Sequence, residues 1–209
     1  MSAVTPPALL HPPSAWVQRW AHIIRPGGRV LDLACGQGRH AYWLHAQGFA
    51  VTAVDRSPEA LASLAPLAAA GAEVLQAELE DGPWPLAGLQ FDAVVVTNYL
   101  WRPRLTEVVA AVGPGGVLVY ETFASGNETV GRPARPEFLL RPGELLQAAA
   151  GLRVVAYEDG FLHDHPRFVQ RIAAVREQPA ELPARHRLCP LPSQTGWVEC
   201  AFFRFRLRT

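Results

Sequence analysis

The sequence predicts an α/β fold, a single Rossmann-like doubly wound sheet that is mostly parallel, and three observations predict it. Short β-branched runs alternate with helical patterns from about residue 29 to residue 122. The first run, Val30-Leu31-Asp32-Leu33, breaks into Ala34-Cys35-Gly36-Gln37-Gly38 and then enters a helical pattern at once, as a strand–glycine loop–helix unit does. A second run, Ala50-Val51-Thr52-Ala53-Val54, ends in Asp55, so two consecutive strands carry a carboxylate at their tips.

The elements follow in order. Ser14 caps a short helix, Ala15 to Ile24, with Trp16 and Trp20 on one face. Pro26-Gly27-Gly28 turns into the first strand, Arg29 to Leu33, apolar as a central parallel strand should be. The helix after the glycine loop runs to about Gln47 and stops at Gly48, and the second strand is Ala50 to Val54. Ser57-Pro58-Glu59 opens an alanine-rich helix that ends near Gly71. Glu73 to Gln76 is a short strand and Phe91 to Thr97 a strongly β-branched one. Arg102 to Val112 reads as helix, stopped by Gly113-Pro114-Gly115-Gly116, and Val117 to Thr122 as strand. Residues 124 to 140 form a long loop rich in Gly, Pro and Arg. Glu144 to Ala150 is a helix, and Leu152 to Tyr157 with Phe168 to Val175 make a closing hairpin. The alternation Phe203-Arg204-Phe205-Arg206-Leu207-Arg208 reads as an edge strand with a solvated arginine face.

Composition bounds the function. A chain of 209 residues with 49% hydrophobic content suits one domain with a full core. Residues 1–176 are read as that domain, and residues 177–209 as a Pro-rich extension packed on it. The formal net charge is zero, without a basic stripe, so no nucleic-acid partner is expected. All 19 residues counted as Lys+Arg are arginines, which leaves no lysine for Schiff-base chemistry. Cys35, Cys189 and Cys200 lack metal-type spacing and read as free thiols of a reducing compartment. His163-Asp164-His165 reads as a hairpin turn, so no metal is expected. With no signal-like start and no apolar run of membrane-spanning length, a cytoplasmic protein without membrane contact is expected.

In an open parallel sheet, ligands bind beyond the carboxyl ends of the strands. Gly36 and Gly38 let the backbone approach a ligand, and the helix that follows is electropositive at its start. Asp32 offsets a cationic amino-acid tail, and Asp55 accepts hydrogen bonds from a ribose diol. S-adenosyl-L-methionine is a nucleoside with both features. Gly36-x-Gly38-x-x-Ala41 also fits a nicotinamide fingerprint, but an acid at Asp32 would repel a pyrophosphate held at the loop.

The runs VLDLACGQGRH, VTAVD, FDAVVVTNYL and GPGGVLVYETFA resemble the class I S-adenosylmethionine-dependent methyltransferases, the small bacterial tellurite-resistance-type and generic branch above all. The resemblance covers roughly residues 14 to 176. It implies a seven-stranded sheet of order 3-2-1-4-5-7-6 with strand seven antiparallel. It also implies a cofactor site of Asp32, Ala34, Gly36, Gly38, Asp55 and Arg56, with Glu78 or its competitor Glu80 at the adenine amino group, Leu79 on the adenine, and Asn98 where methyl and acceptor meet.

The acceptor side is read from the residues around that point. Methyl transfer needs a held nucleophile in a dry pocket. Asn98, Tyr99 and Glu121 are the candidate catalytic groups: Tyr99 and Trp101 present aromatic faces to a sulfonium, and Glu121, His40 and His163 are candidate bases. The loop after the fifth strand reads as a lid. Its Asn127 and Arg132, with Trp101, Arg102 and Arg135, are candidates for holding a small-molecule acceptor. The expected protein is a monomer or homodimer. Two other readings stay open, a nicotinamide-dependent oxidoreductase and a non-catalytic S-adenosylmethionine-binding module.

Overall fold

Alternate residues of the central strands are apolar on both sides, so each strand feeds two cores at once. In the computed structural model, which describes residues 11–179 and 184–188, Val30, Val51, Ala93, Val95, Val117 and Val119 enter one core. Leu31, Leu33, Val94, Val96, Leu118 and Tyr120 enter the other. The strands are β1 (Arg29–Leu33), β2 (Ala50–Asp55), β3 (Glu73–Gln76), β4 (Phe91–Thr97), β5 (Val112–Phe123), β6 (Arg153–Leu162) and β7 (Arg167–Val175). They form one seven-stranded sheet of order β3-β2-β1-β4-β5-β7-β6, the order the resemblance implied. β1 to β5 pair in parallel, and β7 lies antiparallel between β5 and β6.

The helices are α1 (Ala15–Trp20), α2 (Arg39–Ala46), α3 (Pro58–Ala62), α4 (Ala65–Ala69), α5 (Leu105–Ala110) and α6 (Glu144–Ala148). α1 to α4 cover the first core through Trp16, Trp20, Leu44, Leu61 and Leu67, joined by Leu64 from between α3 and α4. α5 and α6 cover the second through Val108, Val109 and Leu145. A helix as short as α1 is marginal alone. It is fixed by the Ser14 hydroxyl, which accepts the Trp16 N–H, and by the edge-to-face pair of Trp16 and Trp20, whose centroids are 5.6 Å apart.

Several boundaries differ from the expected ones. The helix after Ser57 is two helices, because Pro66 has no N–H to offer the carbonyl of Ala62, the last residue of α3. The helix at residue 105 is preceded by a 3-10 turn, Arg102–Arg104, and α5 stops at Ala110. Val112 already pairs with Phe91, and Gly113 to Gly116 form a bulge before Val117 pairs with Ala93. A Cβ on Gly116 would lie 2.7 Å from the Phe91 carbonyl oxygen, so the bulge needs glycine there. β6 runs on to Leu162, and residues 163–166 form its turn to β7. The expected edge strand at residues 203–208, together with Cys189 and Cys200, lies outside the described residues. No helix among the described residues is long and apolar enough to cross a membrane.

Candidate active site

The tips of β1, β2 and β4 converge on the glycine loop. Ala34 (φ 54°), Gly36 (φ 55°) and Gly38 (φ 81°) are all left-handed, which folds five residues back between β1 and α2. A Cβ on Gly38 would collide with Leu64 Cδ2, whereas one on Gly36 would meet nothing within 4 Å. Gly38 is thus packed from behind and Gly36 is bare on its open side. Asp55 at the end of β2 holds the loop: Gly36 N–H donates to its Oδ2 at 2.8 Å and Ser57 N–H to its Oδ1 at 2.9 Å. Asn98, just past β4, is also left-handed (φ 55°), a costly conformation for a residue with a Cβ. Its backbone N–H donates to the Glu121 carbonyl at 3.0 Å, which fixes it to β5.

Asp32 is buried under this loop. Its Oδ2 has no hydrogen-bond partner among the described residues. Burial pushes its pKa up to about 7, against the opposite pull of the Ala41 N–H and Arg39. A buried carboxylate with an idle oxygen suits a cationic ligand, and the bare face of Gly36 leaves room for one. Cys35 is inert, since burial first, and then Asp32 and Asp55, push its thiol pKa up.

A cavity of about 330 Å³ opens beside the loop, within the roughly 300–1,000 Å³ range of small-molecule sites. Ala34, Gly36, Arg39, His40, Thr97 and Asn98 are among its walls. His40 is buried, and burial, then Arg39, lower its pKa to about 3. Its Nε2 accepts the Ser14 N–H at 3.0 Å, so the ring proton sits on Nδ1, 3.3 Å from Thr97 Oγ1. A neutral His40 therefore fastens the start of α1 to the tip of β4.

The expected site residues separate into groups. Asp32, Ala34, Gly36, Gly38, Asp55 and Asn98 come together at the loop. Arg56, Glu78 and Leu79 lie on the β2–β3 side of it, with the Arg56 guanidinium 4.0 Å from Glu78 and 3.8 Å from Glu80. Tyr99 packs against the second core with its hydroxyl buried and unpartnered among the described residues. Burial, then Glu80 and Glu78, push its pKa up. Trp101 is half-buried at the start of the 3-10 turn.

Other expected residues are engaged in the fold. Glu121 is buried and shared by Arg167 (3.4 Å), Arg171 (3.3 Å) and the Ser14 hydroxyl (3.0 Å). Arg102 grips Glu144 with two bonds, 2.6 and 2.9 Å, and donates to the Glu137 and Leu139 carbonyls. It binds the loop after β5 rather than opening onto the cavity. Asn127 is buried, donating to the Pro133 carbonyl and accepting the Phe168 N–H. Arg132 and Arg135 are exposed on that loop, and His163 sits in the exposed hairpin turn. Sequence reasoning missed Arg39 and Thr97. Their signal was position: one directly follows Gly38, and the other directly precedes Asn98.

Residues 30–116 match the family described as a methyltransferase domain. A curated relative, Hemagglutinin 1 of Eikenella corrodens, is 33% identical over 146 residues, 65% of this chain and 48% of its own length. The chain spans about half the length of the curated relatives it matches. Among solved structures, TehB of Haemophilus influenzae has a TM-score of 0.61 at 22% identity, over 75% of this chain and 59% of that one. An S-adenosylmethionine-dependent methyltransferase of Mesorhizobium loti has a TM-score of 0.56 at 19% identity, over 73% of this chain and 93% of that one. These two likenesses show a shared fold.

Proposed function

We propose that this chain, whose residues 30–116 match a methyltransferase-domain family and lie on a seven-stranded sheet of order β3-β2-β1-β4-β5-β7-β6, transfers a methyl group from S-adenosyl-L-methionine to a small-molecule acceptor. One observation carries the reading. Asp32 and Asp55, on adjacent strands, flank a left-handed glycine loop, one with an idle buried oxygen and the other hydrogen-bonded to the loop backbone.

The residues divide the work. Asp55 keeps lone pairs free beyond its two backbone bonds and accepts from a ribose diol. Asp32 offsets the ammonium of the methionine tail, and Gly36 lets the nucleoside lie against bare backbone. Glu78 and Leu79 stand at the adenine end, with Arg56 beside Glu78. When bound, the cofactor supplies an electrophilic methyl on a sulfonium. Asn98, clamped to β5, and Thr97 hold the acceptor side of the cavity, and Tyr99 and Trp101 wall the adjacent space. With Glu121 committed to two arginines, and His40 a very weak base, the chain favours an acceptor that is nucleophilic without strong base assistance. A membrane-embedded acceptor is not part of this reading, which places the activity in the cytoplasm.

The test is calorimetric titration with S-adenosylhomocysteine, followed by turnover of labelled donor against a metabolite panel. Heat of binding with labelled product supports the reading. No heat with either S-adenosylhomocysteine or S-adenosylmethionine overturns it.

A further inference from the structure

The segment from residue 77 to residue 90, between β3 and β4, contains neither helix nor strand, and it carries Glu78 and Leu79. A backbone without ladder bonds takes its position from whatever else holds it. Its start is fixed, because Ala77 N–H donates to the Asp55 carbonyl at 3.0 Å. The Leu79 side chain is buried in the second core. Arg56 lies 4.0 Å from Glu78 and 3.8 Å from Glu80, but it is exposed, and such a pair holds little.

Arg104 supplies the remaining tie. It closes the 3-10 turn Arg102–Arg104 beyond β4, with its own N–H on the Trp101 carbonyl at 3.0 Å. Its Nε donates to the Leu79 carbonyl at 3.3 Å, its Nη2 to the Gly82 carbonyl, and its Nη1 to Glu107 at 3.0 Å. Among the described residues, no other side chain outside the segment donates a hydrogen bond to it. The Arg104 side chain is only 16% exposed, so these bonds are shielded from water. A planar fork with three nitrogens in fixed directions can hold two carbonyls and a carboxylate at once, which an ammonium on a flexible stem cannot.

The tie reaches Glu78 through the backbone. Glu78 Oε1 accepts the Glu80 N–H at 3.0 Å, and Glu80 lies between the two residues whose carbonyls Arg104 holds. The Glu78 carboxylate therefore points where residues 79–82 are put. An exocyclic amino group donates to such a carboxylate, whereas an oxo group turns a lone pair toward it.

We propose that Arg104 is a positioning residue for recognition of the base: by holding the Leu79 and Gly82 carbonyls it aims Glu78 at an exocyclic amino group, so that the site takes a 6-aminopurine nucleoside and rejects its 6-oxo counterpart. The inference rests on the methyl-donor reading, with Glu78 at the adenine amino group.

The experiment is calorimetric titration of the full chain with S-adenosylhomocysteine and with S-inosylhomocysteine, its 6-oxo counterpart. The parent chain is expected to prefer the amino form by on the order of tenfold, the scale of one hydrogen bond to a charged group. In Arg104→Gln the preference should fall to about twofold, through lost affinity for the amino form alone. Arg104→Lys keeps the charge beside Glu107 and should give an intermediate preference, which keeps the proposal open to test if the glutamine variant does not fold. Glu107→Gln leaves both carbonyl bonds in place and should keep the parent preference. Four results would overturn the proposal: no preference in the parent chain, a preference that survives Glu78→Gln, equal losses for both ligands in Arg104→Gln, or collapse of the preference in Glu107→Gln. Equal losses would leave Arg104 a structural tie and nothing more. S-adenosylhomocysteine is titrated first, so that absence of binding overturns the methyltransferase reading itself, whereas binding with a preference indifferent to Arg104 overturns this inference alone.

Discussion

Asp55 at the end of β2 accepts the backbone N–H of Gly36 at 2.8 Å, and so the tip of one strand sets the position of the loop that leaves its neighbour. With Ser57 N–H on its other oxygen, one carboxylate joins the glycine loop to the start of α3. Asp55→Ala therefore removes two structural hydrogen bonds along with the ribose contacts. The expected cost is about 1–3 kcal/mol of stability, read by denaturant unfolding, with at least a hundredfold loss of S-adenosylhomocysteine affinity, read by calorimetry. Undiminished affinity would remove Asp55 from the site.

Gly36 and Gly38 separate packing from binding. Gly38→Ala crowds the buried Leu64 side chain and also carries left-handed strain, so it should lower stability by about 2–4 kcal/mol. Gly36→Ala carries only the strain, about 1–2 kcal/mol, and should lose cofactor affinity more than melting temperature. Equal stability losses would contradict the packing difference.

Asp32 makes stability depend on pH. Its pKa of about 7 in the folded chain stands above the roughly 3.9 of an unfolded aspartate, so between those values the folded state holds a proton that the unfolded state has released. The stabilisation is complete below about pH 4 and is lost as pH rises through about 7. Melting curves across that window should fall less steeply for Asp32→Asn than for the parent chain. A cation bound at Asp32 should also expel the proton, visible near pH 6 as a binding enthalpy that changes with the buffer.

Arg102 is the clamp of the segment between β5 and α6. Arg102→Ala breaks the paired contact to Glu144 and frees the Glu137 and Leu139 carbonyls. Amide exchange should accelerate at Leu139 and Leu140 by at least tenfold, with about 1–3 kcal/mol lost overall. Unchanged protection there would show that the loop holds itself.

Glu121→Gln leaves Arg167 and Arg171 without their shared carboxylate. Both guanidinium groups keep some solvent contact, so the expected loss is about 2 kcal/mol rather than the full cost of a buried orphan charge. Calorimetric melting checks it, and a neutral or stabilising outcome would mean the arginines find water instead.

The sheet was legible because its strands are short, β-branched and bounded by glycine and proline. The Ser14 and Ser57 caps appeared where hydroxyl chemistry put them. The glycine loop and its two acids were legible for the same local reason. What escaped was set by distance. Nothing near Glu121 in the chain announces Arg167 and Arg171, which reach it across the β5–β7 pairing. Arg102 looks free until Glu144 arrives from another helix, and His40 looks solvated until Ser14 and Thr97 close on it. Pro66 was visible in the sequence, yet its power to divide an alanine-rich helix was outweighed there by the propensity of its neighbours.

Leu64 sits in the break that Pro66 creates, and its methyl fills the space that a Cβ on Gly38 would need. The curve of Ala34 to Gly38 is therefore cast against a mould from elsewhere in the chain. An engineer who grafts these five residues onto a foreign sheet would carry away the letters without the shape, and a working transplant has to bring Leu64 and its broken helix along.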